Sequence, residues 1–89
     1  MSKPSQIEVT QKRRDRRKLR DAEKNHDVVV FKYMKQGEQE YEQRVVEVDH
    51  VRVADSSGEV YLHGFDVMRQ GARNFHVDRI QTGSVKRAA

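Results

Sequence analysis

The chain has 89 residues, no cysteine, 35% hydrophobic and 36% charged residues and a mean hydropathy of -1.00, which provides for one modest core and excludes a disulfide framework or a thiolate metal site. Residues 1–10 lack the apolar run of a leader, and no apolar stretch approaches the roughly 18 residues that cross a bilayer, so the chain is expected in the cytoplasm with no membrane partner. The net charge of +4 is unevenly placed: residues 1–26 carry nine Lys/Arg against four acids, and residues 27–89 carry nine against ten.

The basic arm, residues 1–26, centres on QKRRDRRKLR at residues 11–20. Residues 10–24 contain no Gly or Pro and are rich in helix formers, and Thr10 is placed to act as an N-cap, so a helix is permitted. Leu19 and Ala22 are its only apolar residues, too few for a stripe that docks on a core. Like charges at Lys12/Arg16, Arg13/Arg17 and Arg16/Arg20 repel at i, i+4 spacing. The arm is therefore expected to be disordered or a fraying helix, ordering against a polyanion or an acidic partner.

Composition changes at Val28, where VVVFKYM reads as a strand, followed by a turn at Lys35-Gln36-Gly37-Glu38. A second strand is predicted over residues 41–53, with a bulge or bend at residues 47–49 where period-2 alternation of the valines breaks. Asp55-Ser56-Ser57-Gly58 is a turn, residues 60–65 form a third strand, and residues 73–80 form a fourth. Residues 83–89 are a polar tail that either adds a short strand near Val85 or frays. The pattern predicts one mainly β domain over residues 27–82, a small antiparallel β-barrel or strongly curved sheet preceded by the basic helix. Val29, Phe31, Tyr33, Val45, Leu62, Phe65, Phe75 and Ile80 are its expected core.

Three segments resemble the WYL domain: Arg44-Val45-Val46-Glu47, the stretch DSSGEVYLHGFD, and Arg73-Asn74-Phe75-His76-Val77-Asp78-Arg79-Ile80. The signature stands as Val60-Tyr61-Leu62, with Val60 in place of the Trp, and Val48 stands where the family often has a proline. The resemblance implies an SH3-like or Sm-like barrel whose basic face binds nucleic acid or a nucleotide and so regulates a linked or partner protein. It also implies a stand-alone version, since the arm offers one helix where most relatives carry a winged helix-turn-helix.

Arg73 and Arg79 flank Phe75 and Val77 and share strand parity, so both would project at one rim as an anion site. Pairing of each with an acid such as Asp66 or Asp78 on a solvated surface is the alternative. Tyr61 is placed to stack on or support a base, His63 shares its strand face, and His76 would make affinity fall as pH rises. The ligand site is thus expected at Tyr61, His63, Arg73, His76 and Arg79. Lys12, Arg13, Arg14, Arg16, Arg17, Lys18 and Arg20 are expected to make unspecific phosphate or partner contacts.

His26, His50, His63 and His76 are dispersed, and no metal site is expected; no phosphate loop or nucleophile elbow is present, so neither a cofactor nor catalysis is expected. Two readings follow. One is a regulatory module binding single-stranded nucleic acid or a nucleotide; the other is a module docking through its basic helix on a larger nucleic-acid-processing complex, such as a nuclease effector or a polymerase. A homodimer through an exposed strand edge is compatible with either.

Overall fold

The computed structural model describes residues 6–88. Helix α1 (Gln6–Asn25) precedes strands β1 (Val28–Tyr33), β2 (Glu42–Val53), β3 (Val60–Asp66) and β4 (Gly71–His76), a 3-10 turn (Val77–Arg79) and a short β5 (Lys86–Arg87). The strands form one antiparallel sheet in the order β4-β3-β2-β1-β5.

The sheet is open, which corrects the expected barrel. Strand β4 ends at His76, the fourth residue of the segment that reads as a strand, and the chain then coils into the 3-10 turn. The bridge Tyr33–Ile80, the bonds Met34 N to Arg79 O (3.1 Å) and Gln81 N to Lys32 O (2.8 Å), and then β5 bring the chain back beside β1 and not beside β4. β4 and β5 are left as the two edges. The turn also overturns the shared parity of Arg73 and Arg79, because alternation stops before Val77.

A bulge falls where the valine pattern breaks: pairing passes from Val48–Gly64 to His50–His63, with Asp49 as the extra residue. On β3 alternation turns Leu62, Gly64 and Asp66 inward and Tyr61, His63 and Phe65 outward. Phe65, at 41% exposure, is thus not core, and Val45 is only half-buried. A Cβ on Gly64 would collide with the Glu47 carbonyl and the Val46 side chain, so glycine is required where β3 meets β2. The core consists of Leu19, Ala22, Val29, Phe31, Tyr33, Val46, Val48, Leu62, Phe75, Val77, Ile80 and Val85. Phe31, Tyr33 and Phe75 meet edge to face within it.

The helix is docked, contrary to the expectation of a fraying arm. Leu19 and Ala22 are fully covered, and polar ties supply what a longer apolar stripe would have supplied. Asp15 accepts the Gly83 amide at 2.6 Å, Lys18 donates to the Val85 carbonyl at 3.1 Å, and Glu23 accepts the Val51 amide. Thr10 is not the N-cap: it lies inside the helix, and its hydroxyl donates to the Gln6 carbonyl. His26 (φ 52°) ends the helix in the left-handed region, with the Asp27 amide donating to Ala22 O. Of the alternatives for the tail, the strand is formed: Lys86 and Arg87 pair with Val30 and Val29.

Candidate nucleic-acid interface

The outward face of β2, β3 and β4 is built in three cross-strand rows. Arg52, Tyr61 and His76 form one, His50, His63 and Asn74 the next, and Glu47, Phe65 and Ala72 the third. Five rings therefore share one solvent-facing sheet surface. His50 and His63 stack with centroids 4.8 Å apart and planes at 19°, and Tyr61 and His76 lie 4.7 Å apart at 52°. Beside them an open groove is lined by Arg52, Val53, Ala54 and Asp55 together with His50, Tyr61, His63 and Asn74.

Hydrogen bonds fix these rings. Tyr61 donates to Glu59 at 2.7 Å, and His76 Nδ1 lies 3.6 Å from the same carboxylate oxygen. The bond to the Glu59 carboxylate holds the proton on the Tyr61 hydroxyl and raises its pKa above the ordinary phenol value. His63 Nδ1 is 2.6 Å from Asn74 Oδ1, and Asp49 Oδ2 is 3.0 Å from His50 Nδ1 and 4.0 Å from His63 Nε2. The bulge thus aims His50 and Arg52 outward and leaves Asp49 beside the imidazoles.

Tyr61, His63 and His76 are brought together as the sequence suggested; Arg73 and Arg79 are not. Arg73 pairs with Gly64 and so faces the other side of the sheet, with Nε 3.9 Å from Asp66 Oδ2. There it joins a cluster the sequence reading missed. Arg44, 4% exposed, reaches Asp66 at 3.5 Å and Glu42 at 3.3 Å, and its carbon Cζ lies 5.9 Å from the Phe75 ring centre. Arg69 reaches Glu42 at 2.9 Å and Asp66 at 3.6 Å, while Asp66 Oδ1 accepts the Met68 and Arg69 amides. The buried Arg44 Nε has no partner among the described residues. Arg79 is half-buried in the 3-10 turn, and its side chain makes no hydrogen bond or ion pair with either group among the described residues. Asp78, the acid offered as its partner, lies 4.0 Å from Arg16 instead.

His50 and Arg52 were also missed. Their signal was the alternation break itself: a one-residue bulge reverses which later residues face outward.

The seven basic residues assigned to the arm divide by environment. Lys18 is tied to Val85, Arg16 faces Asp78, and Lys12 lies beside Asp15, Val77 and Thr82. Arg13, Arg14, Arg17 and Arg20 are exposed and without a hydrogen bond or ion pair among the described residues. Among the described residues no cluster of three or more His, Asp or Glu is disposed to hold a metal, and no helix is long and apolar enough to cross a membrane.

One helix packed on an open five-stranded antiparallel sheet places the chain among small mainly β domains. A family model for the WYL domain matches residues 15–85, and the chain belongs to the WYL domain family. Among solved structures it is similar to proteasome accessory factor B/C (PafBC) of Arthrobacter aurescens, with a TM-score of 0.74 and 16% identity. That match covers 100% of this chain and 13% of that one, so the chain corresponds to a small part of PafBC, and the likeness is one of fold. No curated protein matches.

Proposed function

We propose that this WYL domain is a non-enzymatic regulatory module that binds single-stranded nucleic acid or a nucleotide on the outward face of β2, β3 and β4. The observation that carries the reading is the set of five rings on one solvent-facing sheet surface, centred on Tyr61, His63 and Phe65 with His50 and His76 beside them. Every base has a π face, so exposed rings on neighbouring strands form a platform on which successive bases stack without demanding one sequence. Arg52 supplies the nearest guanidinium for a phosphate, and Asn74 offers an amide to a base edge. Glu59, Asp49 and Glu47 lie on or beside the same face, so its affinity rests on stacking more than on charge. A regulatory role agrees with family membership and with the accessory character named for PafBC.

Fluorescence anisotropy with short labelled oligothymidylate and oligouridylate tests this reading. Tyr61→Ala and Phe65→Ala should each weaken binding by about 1–3 kcal/mol, the worth of one base stack. Arg73→Ala, on the other face, should leave binding within about twofold, a change well under the 1.4 kcal/mol of a tenfold effect. Absence of binding by the wild type at low salt overturns the reading.

A further inference from the structure

We infer that α1 carries a second, preformed site for the phosphate backbone of a double-stranded nucleic acid, on the opposite side of the domain from the ring platform. The helix advances about 100° per residue, so Arg13, Arg17, Arg20 and Lys24 fall within an arc of about 60° along one side. Asp15, Leu19 and Ala22, the buried residues of α1, lie on the other side. Arg13, Arg17, Arg20 and Lys24 are all exposed and have no hydrogen bond or ion pair among the described residues. The structure thus separates two kinds of basic residue that composition could not: Lys18 and Arg16 are tied to the body of the domain, and the stripe is not, although Arg20 flanks Val51 and Val60 at its border.

Three features favour a duplex. The stripe spans about 16 Å at 1.5 Å per residue, a length over which each strand of a duplex presents roughly five phosphates. Docking through Leu19, Ala22, Asp15 and Lys18 holds its side chains on a folded helix before any ligand arrives, which suits a rigid rod of charge. The stripe also bears no aromatic or aliphatic side chain. It therefore lacks the stacking groups that a single strand uses and the apolar anchor around which protein interfaces are organised. Three of its four cations are arginines, whose forks match phosphate oxygens in pairs.

Because α1 packs on the inward face of the sheet while the rings occupy the outward face, the two sites are independent, and a duplex and a single strand can be held together. The inference does not rest on the platform.

The test is anisotropy of a labelled DNA duplex, and of the same sequence as an RNA duplex, across a salt series. Proteins compared are the wild type, the quadruple variant Arg13→Gln, Arg17→Gln, Arg20→Gln and Lys24→Gln, and the control Arg16→Gln with Lys18→Gln. Circular dichroism confirms that each is folded. Four phosphate contacts give a log–log salt slope of about -3.6, so the wild type should lose roughly 100-fold in affinity between about 50 and about 200 mM salt. The quadruple variant should lose about 3–4 from the slope and the control less than about 1. Binding to either duplex supports the site, and the preferred one names its source.

An unchanged slope in the quadruple variant overturns the inference, as does an equal loss in the control. Competition by polyglutamate as effective as by duplex at equal charge also overturns it, in favour of an acidic protein. Tyr61→Ala with Phe65→Ala should leave duplex binding unchanged; its loss there would place the duplex on the platform and refute a separate site.

Discussion

Asp66 and Arg44 form a buried pair, with Asp66 Oδ2 3.5 Å from Arg44 Nη1, the carboxylate fully covered and the arginine 4% exposed. The other carboxylate oxygen accepts two backbone amides at the β3–β4 turn, so one side chain both neutralises the arginine and shapes the turn. Removing its charge leaves Arg44 buried against an amide. Asp66→Asn should cost about 3 kcal/mol in urea denaturation at neutral pH, in the range found when one partner of a buried pair is lost. Unchanged stability would show that Glu42 alone satisfies the arginine.

Leu19 is fully covered between α1 and the sheet. Leu19→Ala should lower global stability by about 3 kcal/mol. Hydrogen exchange should accelerate at Val29 and Val46 in the sheet as well as in the helix, since both belong to the same core. Faster exchange confined to α1 would mean that the helix opens alone.

Asp15 gives a pH signature. Burial pushes its carboxyl above the ordinary carboxylate value, opposed by the amides of Gly83 and Val85 and by the Lys18 charge. With the folded pKa raised, the folded state holds more protons between the two values, so this group's contribution is fully present below its unfolded pKa of 3.8 and falls as pH rises through the folded one. Asp15→Asn keeps an acceptor for Gly83 and removes the titration. The melting temperature of the variant relative to wild type should therefore rise from pH 3.5 toward neutrality, the pH set by buffer, with a flat difference counting against the burial argument.

Tyr61 gives a second signature at the alkaline end. Its hydroxyl is raised by the bond to Glu59, so Glu59→Gln should bring its ionisation down toward that of a free phenol. The ultraviolet phenolate band, taken as the difference from Tyr61→Phe to remove Tyr33 and Tyr41, reads this directly. No movement would separate the ring from its carboxylate in solution.

The strands and the bulge were legible because β-branched runs and turn residues are local signals, and Val28–Tyr33 and Val60–Asp66 carry both. The size of Phe65 points to the core, but three residues from Leu62 on a strand means the opposite face. The helix docking was hidden because Asp15, Lys18 and Glu23 do work usually read from apolar periodicity. The place of Arg79 is hidden because Val77-Asp78-Arg79-Ile80 alternates like a strand while Val77–Arg79 folds as a 3-10 turn. At the candidate site, Tyr61, His63 and His76 were readable from their strands. Arg44 and Arg69 were not, since their meeting with Arg73 depends on which strands become neighbours.

The bonds from Asp15 to Gly83 and from Lys18 to Val85 join the first element of the domain to the last. Helix and final strand therefore share a seam, although nearly the whole chain separates them in sequence. The segment that α1 holds in this way is the one that pairs with β1 at the sheet edge. The sheet takes part as well, since Glu23 ties α1 to Val51 of β2, so the helix is clamped at once to the middle of the sheet and to the last segment of the domain.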